Sequence, residues 1–199
     1  VPSFYAPHFA NAWEDAEGRI IVEGPYFDRP AWDQALDFIN GVAAHGAPPA
    51  DGCVRGQRRI DPKAGTATVA LLDDPTVEFP TIILAHTGRV SRHVYACSFP
   101  GAGQQGCGIV KYDVRSGRRA LLSLPDSVMA GEPCFVADPA GTAEDHGWLL
   151  TYVSDLRSDA AELWILDATR IEAGPVAAIE LPVWVPAGVH GSWIDDLEI

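Results

Sequence analysis

Apolar residues along the chain come in short runs separated by Gly, Pro and Asp, a rhythm that predicts β-strands joined by tight turns. Runs rich in Val, Ile, Leu, Tyr and Trp cover 19–23, 54–60, 66–72, 93–99, 109–114, 120–124, 134–137, 148–154, 162–166 and 176–181. One segment differs. Over 28–42 the pattern predicts a surface helix, with Pro30 in its first turn, Asp28 near its cap, and Trp32, Leu36 and Ile39 on one face. Residues 43–52, with His45, Pro48 and Pro49, then read as a loop. The 19 Gly and 16 Pro supply the turns that an all-β chain of hairpins needs.

The hairpins repeat. Arg59-Ile60-Asp61 leads through a turn closing on Gly65 into a second strand, and Tyr112-Asp113 does the same through Gly117. Trp13-Glu14-Asp15 with Gly18 is a shorter copy, and Ile165-Leu166-Asp167 keeps the Asp without the nearby Gly. The Asp side chain accepts backbone hydrogen bonds in such a turn, and Gly supplies a positive φ. Hairpins recurring at roughly 50-residue intervals are the mark of a β-propeller, with an ordinary β-sandwich as the alternative.

Charge narrows the partners. A net charge of −13 offers no basic stripe for nucleic acid or anionic lipid. Apolar stretches such as 81–85 are strand-sized, far below the roughly 18–20 residues of a membrane span. The cysteines at 53, 97, 107 and 134 form no C-x-x-C pair, which argues against structural zinc. They read as buried free thiols of a reducing, cytoplasmic setting, with a Cys97–Cys107 bridge as the minor alternative. No leader-like segment stands at Val1.

Two of the six histidines have suggestive surroundings. His8 opens an apolar stretch running into the first turn, and His190 lies between Gly188 and Gly191 beside Pro186, where backbone can approach closely. His45, His86, His93 and His146 read as loop-bound or solvent-facing. Glu78 and Glu132 sit in apolar settings followed by Pro80 and Pro133. Each is an exposed strand-end acid or a buried carboxylate paired with a histidine. Gly188-Val189-His190-Gly191-Ser192 is not a hydrolase elbow. Gly101-Ala102-Gly103-Gln104-Gln105-Gly106 precedes a strand rather than a helix, so it is not a dinucleotide loop. Asp155, Asp159 and Glu162 read as a solvated loop, and Asp195, Asp196 and Glu198 as an acidic end.

Several phrases coincide with one family. They include His8-Phe9-Ala10-Asn11-Ala12-Trp13-Glu14-Asp15, Arg58-Arg59-Ile60-Asp61, Glu78-Phe79-Pro80, Gly131-Glu132-Pro133-Cys134-Phe135-Val136, Glu144-Asp145-His146-Gly147-Trp148 and Val185-Pro186-Ala187-Gly188-Val189-His190-Gly191-Ser192-Trp193. In this order they resemble the C-terminal part of a carotenoid cleavage oxygenase, the family that includes lignostilbene dioxygenases. The resemblance implies that residues 1–199 are a partial arc of a seven-bladed β-propeller with one inserted helix. It implies Fe(II) on the axis, one per full-length chain, held by four histidines. His8 and His190 are similar to two of these, while Glu78 and Glu132 resemble the carboxylates that orient them. The other two histidines and a third glutamate would lie upstream of Val1. The implied reaction splits a conjugated C=C bond of a carotenoid, apocarotenoid or stilbene-type substrate with O2, giving two carbonyl products. A lipophilic substrate leaves peripheral membrane contact open, as well as oligomeric state. The rival reading is a metal-free propeller scaffold, or an inactive truncated piece.

Overall fold

The structure, a computed structural model, describes residues 4–27, 32, 33, 36, 53–99, 107–185 and 190–194. Strands β1 (Asn11–Glu14), β2 (Ile20–Phe27), β3 (Cys53–Asp61) and the first half of β4 (Thr66–Thr81) form one antiparallel meander. The second half of β4 opens the next, with β5 (His93–Ser98), β6 (Gly108–Asp113) and β7 (Arg118–Leu122). The third contains β9 (Cys134–Ala137), β10 (Gly147–Asp155), β11 (Ala160–Asp167) and β12 (Pro175–Glu180). Strand β8 (Val128–Ala130) pairs with the far end of β10, so β8 and β9 together make the first strand of this sheet. These are three successive blades of a propeller, and among the described residues the ring does not close.

The turns behave as the repeat requires. Asp15, Asp61 and Asp113 accept backbone N–H groups two residues on, and Gly18, Gly65 and Gly117 take φ of 79°, 65° and 68°. Asp155 does the same for Arg157, with Asp159 at φ 52° in the glycine place. It is therefore a further copy of the hairpin turn rather than a loose loop, and Glu162 lies within β11.

Alternation along β5 and β6 explains why both strands are covered on two faces. Val94, Ala96, Val110 and Tyr112 pack with Val77 and Ile82 toward the first sheet. Tyr95, Cys97 and Ile109 pack with Leu149, Val153, Leu166 and Ile171 of the third. Polar ties cross the same seams. Arg55 Nε donates to Glu23 at 2.6 Å, and its guanidinium lies 4.7 Å from the Tyr112 ring. Lys111 Nζ reaches Asp145 at 2.6 Å and the Ala168 carbonyl at 2.8 Å.

Some expectations shift. Residues 32, 33 and 36 are helical, and the rest of the predicted helix, with His45, lies outside the described residues. Strand β1 is the strand expected before the first turn, whereas β8 and the second half of β4 carry no clean alternation and were not expected. Thr81 ends β4, and Leu84–His86 forms a 3₁₀ turn. His93 is a buried strand residue, 5% exposed, because β5 is sandwiched between sheets. All four cysteines are free, and Cys53, Cys97 and Cys107 are buried.

Candidate functional site

The first strand of each blade is interrupted where a candidate residue stands. In β4, Glu78 pairs with Cys97 but Thr81, rather than Pro80, pairs with Tyr95, so one extra residue bulges out. Phe79 absorbs the kink with a left-handed φ of 53°. In the third sheet Ala130 pairs with Val153 and Cys134 with Leu150. Residues Gly131, Glu132 and Pro133 thus face only Thr151 and Tyr152, another one-residue bulge. In the first sheet Tyr5 bridges Phe27 while Asn11 pairs with Glu23, so the stretch containing His8 is longer than a regular ladder allows. That stretch lies against Gly24, where a Cβ would come within 2.8 Å of the His8 carbonyl.

These interruptions bring the four candidates together. His8 Nδ1 is 2.7 Å from Glu78 Oε2, which also accepts the Phe79 amide at 2.6 Å. His190 Nδ1 is 3.1 Å from Glu132 Oε2, which accepts the Gly191 amide at 3.1 Å. The two imidazoles lie 5.0 Å apart, centroid to centroid, with the Phe79 ring 5.0 Å from His8 and 6.2 Å from His190. The pairs differ in shelter: the His8 and Glu78 side chains are 26% and 10% exposed, those of His190 and Glu132 62% and 17%. Neither glutamate is an exposed strand-end acid.

Burial pushes the Glu78 carboxyl above its ordinary range, against the pull of the Phe79 amide and His8. Glu78 Oε1 is buried without a hydrogen-bond partner. An ionised carboxylate facing Nδ1 places the ring hydrogen there and leaves the Nε2 lone pair available. Two such imidazoles suit a borderline cation such as iron, zinc or copper. Among the described residues no group of three or more His, Cys, Asp and Glu completes a shell. The two imidazoles fit a shared metal, of which they would be two ligands.

Beside His190 lies a cavity of about 240 Å³ lined by Glu132, Tyr152, Leu163, His190 and Trp193. The other described histidines serve elsewhere. His86 Nδ1 is 3.5 Å from Glu144, His93 Nε2 is 3.6 Å from Asp145, and His146 accepts the Thr142 amide at 3.2 Å. Sequence reasoning missed Phe79 as a neighbour of both rings and Gly24 as the bed for His8. Pro80 and Pro133 were the available signal, since proline inside a strand marks a bulge.

Broken first strands converging on paired His–Glu groups make this a propeller arc with a candidate metal-binding centre. The family model described as retinal pigment epithelial membrane protein matches residues 1–195, and the chain belongs to this family of carotenoid cleavage oxygenases. It is 36% identical over 196 residues to the apocarotenoid-15,15'-oxygenase of Synechocystis sp., covering 94% of the chain and 38% of that protein. It is 28% identical over 218 residues to the carotenoid 9,10(9',10')-cleavage dioxygenase 1 of Pisum sativum, covering 98% and 38%. The crystal structure of cobalt-substituted Synechocystis ACO superimposes with a TM-score of 0.80 at 30% identity, over 98% of the chain and 40% of that structure. The chain thus spans about two fifths of the relatives it matches.

Proposed function

We propose that the protein containing this chain is a non-haem Fe(II) dioxygenase that cleaves a conjugated C=C bond of a carotenoid, apocarotenoid or stilbene-type substrate. One observation carries the reading: two imidazoles 5.0 Å apart, each tied at Nδ1 by its own glutamate. The printed activities of the relatives, an apocarotenoid oxygenase and a carotenoid cleavage dioxygenase, supply the reaction class. His8 and His190 would hold the iron through Nε2. Bound iron would supply O2 activation, with one oxygen atom ending in each of two carbonyl products.

The remaining work falls to the chain's own groups. Glu78 and Glu132 keep the hydrogen at Nδ1 and fix each ring plane. Phe79 closes the space between the rings with an apolar wall. Tyr152, Leu163 and Trp193 offer a flat apolar surface beside His190 that suits one end of a rigid polyene or aryl alkene and excludes water.

The test uses the full-length protein. We expect about one iron per chain, and ¹⁸O2-labelled carbonyl products from at least one of the three substrate classes. His8→Ala and His190→Ala should each lose metal and turnover. Full iron occupancy and turnover in both variants overturns the assignment.

A further inference from the structure

Each glutamate projects from a bulge, where the strand ladder lapses and the backbone must be anchored in another way. The anchors recur. The carbonyl of Val77, one residue before Glu78, accepts a hydrogen bond from Cys53 Sγ at 3.1 Å. The carbonyl of Gly131, one residue before Glu132, accepts from Cys97 Sγ at 3.1 Å. Cys53 is 2% exposed and Cys97 1%. Each thiol reaches across a seam: Cys53 from the first sheet to the opening strand of the second, Cys97 from the second to that of the third. The Gly131 peptide has further ties. Thr151 Oγ1, 2% exposed, donates to the same carbonyl at 2.8 Å, and the Gly131 amide donates to the Tyr152 carbonyl at 2.8 Å.

We infer that Cys53, Cys97 and Thr151 are positioning residues: they fix the peptides from which Glu78 and Glu132 project, and through those carboxylates they aim the imidazoles of His8 and His190. The inference rests on the proposed metal-binding role of the two histidines. Burial pushes both thiols well above their ordinary range, so they stay S–H donors at any working pH. Buried cysteines often act only as small core fillers. Cys97 Sγ also lies 3.8 Å from the Ala130 carbonyl, but its shorter contact, like that of Cys53, is the carbonyl just ahead of a functional carboxylate, a recurrence across two seams that a filler does not require.

The Phe79 amide reports on Glu78 and the Gly191 amide on Glu132, because each donates to that carboxylate. Residue-resolved hydrogen exchange is measured on full-length, metal-stripped protein, and Co²⁺ affinity by competition with a chelator. Cys97→Ala and Thr151→Val should speed exchange at Gly191 and weaken Co²⁺ binding, each about fivefold, the order of one neutral hydrogen bond. Thr151→Val should leave Phe79 at its original rate, while Cys97→Ala, whose backbone pairs with Glu78, should disturb Phe79 less than Gly191. Cys53→Ala should do the converse, speeding Phe79 and sparing Gly191. Thr151→Ser keeps the hydroxyl and should restore Gly191 protection and metal affinity, which a general loosening of the core would not allow. Unchanged exchange at both amides, or equal acceleration at both in every variant, overturns the inference. If unmodified protein binds no Co²⁺, the proposed function fails, while the exchange pattern still decides whether these side chains hold the carboxylates.

Discussion

Replacing Glu78 by Gln should weaken metal binding more than replacing Glu132, and the structure says why. Glu78 Oε2 takes two donors at once, His8 Nδ1 at 2.7 Å and the Phe79 amide at 2.6 Å, while Oε1 is buried with no partner. If the new amide oxygen stays with the two donors, its NH2 group occupies the partnerless buried place. A donor stranded there costs about 1–3 kcal/mol. If it turns over, NH2 confronts two N–H groups. Glu132 meets His190 and the Gly191 amide at a longer 3.1 Å, beside a histidine that is 62% exposed, so water can stand in for the lost charge. Loss of a carboxylate partner of a metal-bound histidine costs about 10–100-fold in affinity, or roughly 1.4–2.8 kcal/mol. Glu78→Gln belongs near the upper end and Glu132→Gln near the lower. Chelator competition on the full-length protein, with both variants loaded alongside the parent, measures the order directly. Equal effects would refute the shelter reasoning, and parent-like affinity in both would remove the glutamates from the site.

Other outcomes follow from specific contacts. Gly24→Ala drives a methyl to 2.8 Å from the His8 carbonyl, an overpacking cost of about 1–3 kcal/mol in denaturant titration that should appear with weakened metal retention. Glu23→Gln strands the guanidinium of Arg55, which is 8% exposed, and should cost about 3–5 kcal/mol, whereas the double change Glu23→Leu with Arg55→Met should recover most of it. Burial alone would lift Glu144, but the His93 and Arg92 amides and the Ser91 hydroxyl outweigh it and hold its carboxyl below the ordinary 4.5. Its stabilisation is therefore full above that pH and drains as pH falls through the lower folded value. Urea midpoints should fall more steeply below pH 4.5 in the parent than in Glu144→Gln, and parallel curves would refute it.

The regular parts of the fold were legible because they rest on local chemistry. Asp61 with Gly65 and Asp113 with Gly117 mark hairpins through their own hydrogen bonds and φ angles, and runs of β-branched, aliphatic and aromatic residues mark β2, β10 and β11. The missed parts depend on tertiary pairing. Strand β8 has three residues and makes sense only against β10, and the second half of β4 reads as a Pro-broken connector until β5 lies beside it. His93 looked exposed because its strand is covered on both faces, which no single-strand period reveals. The candidate site was legible through the family phrases, which supplied both the residue identities and the pairing of His8 with Glu78 and His190 with Glu132; the bulges and distances that realise the pairs are a property of the folded sheets.

Regular pleating explains why each of these first strands must break. In an unbroken strand successive side chains alternate between faces, so a residue has only the two seams beside its sheet to point into. Both seams here are filled, one by Val77, Val94 and Tyr112 and the other by Tyr95, Ile109 and Leu149. A carboxylate sent into either would meet hydrocarbon. An extra residue changes the direction of projection without moving the rest of the ladder, and that is what separates Glu78 from the cores on either side of it and Glu132 from the seam it shares with the second sheet. The left-handed Phe79 then has a cause as well as a cost. Its backbone turns so that its own amide meets Glu78 while its ring stands beside His8 and His190. A propeller blade thereby yields a polar site at its first strand only by giving up β-pairing there, and in the second sheet the packed seams on both sides keep that loss to a residue or two.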